Sequence, residues 1–317
     1  MQCKICGNSK NNTSYEATEL MLGLRDKHNY IQCSACDCLQ IENIPENLPS
    51  YYPDDDYYSY DKIQSSTGIK KFLMTKRDLY AATGSGLIGK LLHQFMPHSK
   101  IHTLQKAGVN KNSRILDVGC GAGHLLHSLQ EAGFNNLLGI DPFNAEDIHY
   151  DNGLNIEKKS IHDMQQGDWD LIMFHHSFEH VADQVETLSK AASLLKSGGT
   201  CLVRVPTASS WAWKHYGVNW VQLDAPRHLF LHSIDSMKLL SEKVGLKMKE
   251  VVYDSFAFQF WGSEQYLKDI PLNDERSYAV NPDKSLFSKD DIAAFEKRSV
   301  ELNQQQQGDQ AAFYLVK

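Results

Sequence analysis

From residue 113 onwards the chain alternates between short, continuously apolar runs and longer segments in which apolar residues recur every three or four positions. Continuous runs of this length are typical of buried strands, and the recurring spacing is typical of helices. The expected strands are residues 114–118, 137–141, 154–159, 169–174, 200–205, 246–253 and 311–316. Strands that alternate with helices predict a mostly parallel sheet covered by helices on both faces, which is an α/β fold.

The N-terminal third of the chain does not follow this alternation. Residues 65–108 have helical spacing and predict two or three helices. Residues 45–62 contain three prolines, three consecutive aspartates and five tyrosines; this is the composition of a linker, although its aromatic rings suit either a substrate lid or packing against the next domain. We therefore expect a small unit at 1–44, a Tyr-rich linker with N-terminal helices forming a cap or lid at 45–108, and the α/β domain at 109–317.

Composition and charge narrow the class of protein. The 317 residues are 42% hydrophobic and 22% charged, which excludes a disordered, collagenous or coiled-coil chain. No apolar run approaches the ~18 residues that cross a bilayer, and the first residues lack the apolar core of a signal peptide, so we expect a cytoplasmic protein. A net charge of −7 with scattered Lys and Arg argues against general binding to nucleic acid. The oligomeric state is not indicated.

Cysteines are concentrated at the N-terminus, where five of the seven form two Cys-x2-Cys pairs and one further thiol before residue 40. In a chain without a secretion signal, such pairs indicate a metal site rather than disulfides. Each pair places two thiolates on one turn, and two turns complete a tetrahedral shell around zinc. We expect a structural zinc ribbon whose ligands are Cys3, Cys6, Cys33 and Cys36. A redox pair is the alternative, and Cys38 is a spare thiol or a substitute ligand.

A glycine loop follows the first strand of the α/β domain, at the end of the sheet where such folds bind ligands. Asp117 precedes glycines at 119, 121 and 123, and Asp141 closes the second strand, at the place where a carboxylate binds ribose hydroxyls. The third glycine stands one position early for a dinucleotide fingerprint. In addition, Asp117 would repel a pyrophosphate but attract an ammonium group. S-adenosylmethionine carries an ammonium, a sulfonium and an adenosine without phosphate, and it is the cofactor we expect.

Together these segments resemble the motifs of the class I S-adenosylmethionine-dependent methyltransferases. The resemblance covers about residues 110 to 205, through the segments 117–123, 139–141, 160–163, 168–172 and 194–199. It implies a seven-stranded Rossmann-like sheet of order 3-2-1-4-5-7-6, in which strand 7 is antiparallel, preceded here by the small zinc ribbon.

The resemblance also implies roles for individual residues. Asp117 and Gly119 would hold the methionine moiety, Gly121 would allow the cofactor to approach closely, Asp141 would bind the ribose and Asp163 the adenine amino group. The remaining expected cofactor contacts are Cys120, Pro142, His162 and Phe174.

More narrowly, the chain resembles a methyltransferase subgroup in which a cysteine ribbon and a Tyr-rich connector precede the catalytic domain. Members of this subgroup often lie in polysaccharide or sugar-modifying pathways. The sugar 3-C-methyltransferases share this N-terminal region but continue into a second large domain, whereas this sequence ends at the expected last strand of the sheet. We therefore expect O-methylation of a small hydroxylated acceptor, a sugar or nucleotide-sugar. C-methylation of a keto-sugar is one alternative, and an RNA-binding or RNA-modifying protein that uses the ribbon is another.

The residues after the fourth strand face the transferred methyl group in this fold. A neutral imidazole is the natural base near pH 7, and His180 is the leading candidate, with Glu179 to orient it or to contact the acceptor. His176-x-x-Glu179-His180 would also place three potential ligands on one helical face. It resembles the metal site of the small-RNA 2'-O-methyltransferases and of a ubiquinone-pathway O-methyltransferase, with His228 as a later ligand or acceptor contact. A second divalent metal, zinc or manganese rather than magnesium because His176 replaces an acid, is therefore the alternative to direct catalysis by His180.

Overall fold

The structure, a computed structural model, describes residues 1–52 and 68–317. Its strands are β1 (Thr13–Thr18), β2 (Lys27–Gln32), β3 (Leu39–Ile41), β4 (Arg114–Val118), β5 (Asn136–Ile140), β6 (Ile148–His149), β7 (Asn155–Glu157), β8 (Trp169–His175), β9 (Leu195–Pro206), β10 (Phe230–Leu231), β11 (Lys247–Tyr253) and β12 (Gln310–Val316). Its helices are α1 (Gly68–Thr83), α2 (Leu87–Phe95), α3 (Ser99–Lys106), α4 (His124–Glu131), α5 (Gln184–Leu194), α6 (Trp211–Tyr216), α7 (Ile234–Lys243), α8 (Phe258–Leu267) and α9 (Lys289–Gln304). Part of the Tyr-rich linker expected at 45–62 lies outside the described residues.

The main sheet has the order β11-β12-β9-β8-β4-β5-β7-β6. Strands β7, β5, β4, β8 and β9 are parallel neighbours, and β12 runs antiparallel to both β9 and β11. The expected order 3-2-1-4-5-7-6 with an antiparallel strand 7 is therefore confirmed. The structure adds the two-residue β6, which pairs antiparallel with β7 at the edge. The carboxyl ends of β4 and β8 lie side by side in the middle of this sheet.

A small antiparallel sheet of order β1-β2-β3-β10 contains the N-terminal strands. Its fourth strand, β10, comes from the long connection after β9, so the catalytic domain contributes one edge of the sheet. The buried Tyr30 on β2 also donates a hydrogen bond of 2.9 Å from its hydroxyl to the carbonyl oxygen of His228. The N-terminal unit is thus attached to the domain at the segment that carries His228.

A buried ion pair strengthens this attachment. The Arg227 side chain is 1% exposed, and its Nη2 donates to a Glu19 carboxylate oxygen at 3.1 Å and to Asp224. Its Nη1 donates to the carbonyl oxygen of Tyr51 at 3.3 Å. The Glu19 carboxylate also accepts hydrogen bonds from two backbone N–H groups of the following turn. Because each charge has several partners, the cost of removing both charges from water is compensated within the protein.

Helices α1, α2 and α3 fill the expected helical region 65–108 and pack beside α4. Ala81 and Ala82 of α1 and Ile101 and Leu104 of α3 are buried in one apolar cluster with Leu126 of α4. The lid function expected for this region stays a prediction. Within the described ranges, no helix combines the length and the apolar character that crossing a bilayer requires.

We expect Arg227→Met to lower the free energy of unfolding by about 3–5 kcal/mol, because it leaves the fully buried Glu19 and the partly buried Asp224 without a cation. Chemical denaturation measures this loss, and adding Glu19→Gln to Arg227→Met should recover part of it. Arg298→Met is the matched control, since Arg298 pairs with Glu301 at the surface and exposed pairs contribute little. Equal losses in the Arg227 and Arg298 variants would contradict a structural role for the buried pair.

Candidate functional site

The glycine loop between β4 and α4 requires glycine at three positions. Gly119, Gly121 and Gly123 have φ values of +72°, +55° and +79°, a region that side chains with a Cβ rarely adopt. A Cβ on Gly119 would lie 2.5 Å from the Cβ of Ser177, and one on Gly123 would lie 2.5 Å from the side chain of Ile156. The loop can therefore wind tightly at the carboxyl end of β4 and expose its backbone to a ligand.

Asp141 holds this loop in place from the end of β5. One carboxylate oxygen accepts a hydrogen bond of 2.8 Å from the N–H of Gly121, and the other accepts one of 2.9 Å from the N–H of Phe143. Burial raises the pKa of Asp141, and these two N–H groups oppose the rise. The neighbouring Pro142 is exposed. Each carboxylate oxygen can accept a second hydrogen bond, so the geometry leaves capacity for ribose hydroxyls.

Asp117 presents a buried acceptor to the same cleft. The residue is 4% exposed, and its Oδ1 is buried with no hydrogen-bond partner among the described residues. Burial and the charge of Asp141 raise the pKa of Asp117 to about 7, while Lys100 opposes the rise. A buried carboxylate oxygen without a donor is costly unless a ligand supplies one. The ammonium group of S-adenosylmethionine is such a donor, so Asp117 and the glycine loop fit the expected cofactor.

The other expected cofactor residues are more dispersed. His162 and Asp163 lie on an exposed 3-10 turn, where an Asp163 oxygen accepts a hydrogen bond from the backbone N–H of Ser160. Cys120 is half-buried and donates from its thiol to the carbonyl oxygen of Gly121. Phe174 is fully buried, and its ring centroid lies 5.2 Å from that of Phe178. Cofactor contacts by these residues stay predictions.

Two basic residues near Asp117 were not anticipated from the sequence. Lys100, on α3, is close enough to oppose the rise in the pKa of Asp117. Arg204, on β9, is 3% exposed and donates from Nε to Asp254 at 2.7 Å, while its Nη1 is buried without a partner in the described residues. A single charge inside the otherwise apolar strand 200–205 was the available sequence signal for Arg204. For Lys100 there was none, because the fold alone brings α3 to this cleft.

Glu179, His180 and His228 come together after β8. Each offers one ligand atom, and these atoms all lie within 4.8 Å of one another. The Nδ1 of His180 donates to the carbonyl oxygen of Arg227 at 2.9 Å, and that of His228 to the carbonyl oxygen of Gln222 at 2.7 Å. Because carbonyl oxygens only accept, these bonds place the proton on Nδ1 and leave the Nε2 lone pairs free. We refer to these three residues as the His–Glu cluster.

The His–Glu cluster has the donor set of a divalent metal site. One carboxylate and two imidazoles suit zinc, manganese or iron better than magnesium. The Oε2 atom of Glu179 is buried without a hydrogen-bond partner among the described residues, which is a second sign that a ligand is needed there. The hydroxyl of Tyr52, at the end of the described linker, lies 3.0 Å from the Nδ1 of His180. Sequence reasoning missed this contact, since nothing in the pattern singles out one of the linker tyrosines.

His176 takes a different place from the one expected. It was expected to share a helical face with Glu179 and His180, but β8 continues to His175 and only a 3-10 turn, Phe178–His180, follows. His176 itself has a φ of +53°. Its Nδ1 lies 3.2 Å from the Oε1 of Glu179, so His176 supports the carboxylate instead of joining the ligand set.

The protonation states of the His–Glu cluster favour ligand binding near pH 7. Burial lowers the pKa of His180 to about 4, against the opposing charge of Glu179. Burial alone would raise the pKa of Glu179, yet the hydrogen bond from His176 and the neighbouring imidazoles lower it to about 2. The carboxylate is therefore ionised and the imidazole of His180 neutral, so protons do not compete for their lone pairs.

The four cysteines expected to bind zinc also come together. Cys3, Cys6, Cys33 and Cys36 each place a sulfur within 4.8 Å of the others. The Sγ atoms of Cys3 and Cys36 are 3.7 Å apart, and those of Cys6 and Cys33 are 3.4 Å apart. Zn–S bonds of ~2.3 Å in a tetrahedron separate the sulfurs by about 3.8 Å. Cys38 lies outside the group, with its Sγ 3.9 Å from the carbonyl oxygen of Leu39.

Comparisons with known proteins indicate a methyltransferase, as the glycine loop does. The family model described as a methyltransferase domain matches residues 92–251, half of the chain. The ubiquinone biosynthesis O-methyltransferase of Acinetobacter baylyi is 28% identical over 193 residues, which cover 54% of this chain and 79% of that protein. The enzyme of the same name from Nitrosospira multiformis is 28% identical over 186 residues, covering 51% of this chain and 77% of that protein.

Solved structures of S-adenosylmethionine enzymes are similar at a lower level. A methyltransferase from Archaeoglobus fulgidus has a TM-score of 0.42 and 17% identity, covering 73% of this chain and 100% of that one. The cyclopropane synthase MmaA2 of Mycobacterium tuberculosis has a TM-score of 0.43 and 14% identity, covering 68% and 81%. Similarity of this degree adds no argument to the family match. From the matched half of the chain, we conclude that this protein belongs to the methyltransferase domain family and is an S-adenosylmethionine-dependent methyltransferase.

Proposed function

We propose that this enzyme transfers the methyl group to a hydroxyl oxygen of a small acceptor, and that the His–Glu cluster receives that hydroxyl. The observation that carries the proposal is the convergence of three donor atoms within 4.8 Å of one another just after β8. In the reaction the acceptor O–H bond breaks and its proton passes to solvent water, the oxygen bonds to the methyl carbon, and the carbon–sulfur bond breaks to leave S-adenosylhomocysteine. The enzyme must hold the acceptor oxygen in line with that bond and promote loss of its proton.

Each residue of the His–Glu cluster would have its own role in holding the acceptor hydroxyl and promoting loss of its proton. Glu179 supplies a carboxylate that His176 holds in place, and His180 and His228 present Nε2 lone pairs whose direction their Nδ1–H bonds determine. A divalent cation bound by these groups would lower the pKa of the acceptor hydroxyl. As a base acting alone, His180 would work with a pKa of about 4, well below neutral pH, and would remove a proton inefficiently. The geometry therefore favours metal binding over His180 as the sole base.

The cofactor roles follow from the carboxylates of the cleft. Asp117 would accept a hydrogen bond from the ammonium group, because its buried Oδ1 has no partner within the described residues. The glycine loop would lie against the methionine moiety, and Asp141 would bind the ribose while continuing to hold the N–H of Gly121. Lys100 and the buried Nη1 of Arg204 are the cationic groups available to the cofactor carboxylate.

A saccharide or nucleotide-sugar is the acceptor class that we propose first. The sequence resemblance is what supports this class. A separate cavity of about 420 Å³ lies between the small sheet and α6, and none of the residues that line it belongs to the glycine loop or to the His–Glu cluster. Tyr15 and Trp213, which pack edge to face, line this cavity together with Gln32, Asp37 and Lys214. Aromatic rings beside amide, carboxylate and ammonium groups suit a ligand rich in hydroxyls. The names of the relatives favour transfer to oxygen over carbon, and a phenolic hydroxyl is the second acceptor class to test.

We further propose that the four-cysteine group binds one structural zinc ion. The sulfur separations match a tetrahedral thiolate site, and the turn that carries Cys33 and Cys36 follows directly after β2 of the small sheet. The carbonyl oxygen of Cys36 accepts a hydrogen bond from the hydroxyl of Ser233, at the start of α7. A bound zinc ion would therefore stabilise the conformation in which the N-terminal unit pairs with β10.

The proposed reaction is tested with labelled S-adenosylmethionine and panels of sugars, nucleotide-sugars and phenols. We expect label on an acceptor oxygen, loss of activity with a chelator, and recovery with Zn²⁺ or Mn²⁺. Glu179→Gln and His228→Ala should each lower kcat/KM by at least about a hundredfold and weaken metal binding measured by calorimetry.

The matched control for these variants is His149→Gln, at the exposed sheet edge on β6, which should retain normal activity and metal binding. Label on carbon would overturn O-methylation. Activity that survives chelation and removal of bound metal, yet is lost in His180→Ala, would overturn the metal role and return His180 to the role of base.

We expect Asp117→Asn to weaken cofactor binding while it raises the stability of the apoprotein. The pKa of Asp117 is about 7 in the cofactor-free protein against 3.8 in an unfolded chain. As pH rises between these values, the unfolded chain releases the proton first, so the wild type loses roughly 2–4 kcal/mol of stability by pH 8. The asparagine variant avoids this loss. We expect it to be the more stable apoprotein at about pH 8, with a smaller advantage at about pH 5, and to bind S-adenosylhomocysteine about ten- to a hundredfold more weakly.

Denaturant titrations at the two pH values and calorimetric binding measure these effects. Asp151→Asn, at an exposed position, is the control that should change neither property. Undiminished cofactor affinity in Asp117→Asn would contradict the assignment of Asp117 to the ammonium group.

Zinc content tests the ribbon. The purified wild-type protein should contain about one zinc per chain, and Cys33→Ser should contain almost none and unfold at a lower temperature. Cys38→Ser and Cys201→Ser should keep the metal, because Cys38 lies outside the cluster and Cys201 is buried in β9. Zinc retained in Cys33→Ser, or lost in Cys38→Ser, would show that the ligand set is wrong.

A further inference from the structure

One side of α2 exposes a continuous row of large apolar side chains. Leu87, Leu91 and Phe95 follow one another at intervals of four residues, and Ile88 lies beside them on the same side of the helix. Their exposed fractions are 87%, 57%, 79% and 54% in the order Leu87, Leu91, Phe95 and Ile88. Isolated exposed apolar residues are common, but a contiguous patch usually marks an interaction surface. We call these four residues the α2 face.

The opposite side of α2 packs closely on α1. A Cβ on Gly89 would lie 2.1 Å from the carbonyl oxygen of Lys76, so the two helices touch backbone to backbone. This contact turns the α2 face away from the body of the protein. It also places α1 beside it, where Ile69 and Phe72 are 80% and 52% exposed. Both helices therefore expose large apolar side chains.

Cations border this surface. The Nζ of Lys76 lies 5.2 Å from the centre of the Phe72 ring. Lys70 and Lys90 are exposed and make no ion pair with the part of the chain that the structure describes. Residues 68–95, which form α1 and α2, contain four lysines and one arginine against one aspartate, a net charge of +4. Since the whole chain carries −7, the remaining residues carry −11. Positive charge is thus concentrated on the helices that expose the apolar side chains.

We propose that the α2 face docks on the surface of an anionic phospholipid bilayer. The apolar side chains would enter the boundary between headgroups and acyl chains, and the bordering lysines would lie at the phosphates. A short helix with an apolar side and a basic border suits this shallow position, and α2 has nine residues. A second copy of the chain fits less well, because it would bring the same excess of positive charge against this surface. The inference goes beyond the methyl transfer reaction and does not depend on the acceptor.

Vesicle co-sedimentation of the full chain tests the proposal. At low salt we expect binding to phosphatidylcholine vesicles that contain about 30% phosphatidylglycerol, with much weaker binding to phosphatidylcholine alone and in high salt. Leu91→Glu should weaken the partition coefficient at least about tenfold, and Lys90→Glu about fivefold or more. The matched controls are Leu267→Glu, since Leu267 is 50% exposed at the end of α8, and Lys238→Glu on α7. Neither control should change binding.

Thermal unfolding and methyltransferase activity in the absence of vesicles confirm that each variant is folded. Failure of the folded wild type to bind anionic vesicles at low salt would overturn the proposal. So would equal losses in Leu91→Glu and Leu267→Glu, which would indicate a nonspecific effect of charge. A dimer in solution that dissociates in Leu91→Glu, together with no vesicle binding, would assign the α2 face to a second copy of the chain instead.

Discussion

The buried guanidinium of Arg227 is the contact on which the arrangement of this protein depends. It joins the buried Glu19 of the N-terminal unit, Tyr51 of the linker and the partly exposed Asp224 of the catalytic domain. The backbone carbonyl of Arg227 also accepts the Nδ1 hydrogen bond of His180, and the next residue is His228. The same segment therefore attaches the N-terminal unit and positions the histidines. Because an unpaired charge in the interior is so costly, this geometry is strongly determined.

The cleft at the carboxyl ends of β4, β8 and β9 contains several buried polar atoms that have no hydrogen-bond partner in residues 1–52 and 68–317. Asp117, Glu179 and Arg204 each contribute a buried oxygen or nitrogen of this kind. Such atoms lower the stability of the folded chain unless a ligand satisfies them. Their grouping around the glycine loop and the His–Glu cluster is therefore the physical signature of a site built for a charged cofactor and an acceptor. It also means that the same substitutions will affect stability and binding in opposite directions.

A residue of this site can be predicted from the sequence when the pattern that marks it lies within a few neighbouring residues of the chain. The glycine loop is predictable because positive φ angles and a following helix are local properties of a few residues. The cysteine pairs are predictable because each lies on a single turn. The prediction that His176 shares a helical face with Glu179 was wrong, because β8 extends to His175, further than the apolar pattern indicated. His176 instead lies within hydrogen-bond distance of the Glu179 carboxylate. Lys100 carries no such signal, and the tyrosine-rich composition of residues 45–62 does not single out Tyr52, because the neighbours of both residues in the site are distant in the chain.

The sequence by itself determined the α/β class and the choice of an ammonium-bearing cofactor, because alternating apolar runs and a carboxylate before three glycines are local signals. The order of the main strands came from the resemblance to the class I methyltransferases. Tertiary structure decided the rest. In the folded chain, β10 of the catalytic domain forms the fourth strand of the N-terminal sheet. His228 lies close to His180, and the apolar side of α2 is exposed. These outcomes depend on contacts between segments separated by tens to hundreds of residues, and only the packing of the whole chain selects them.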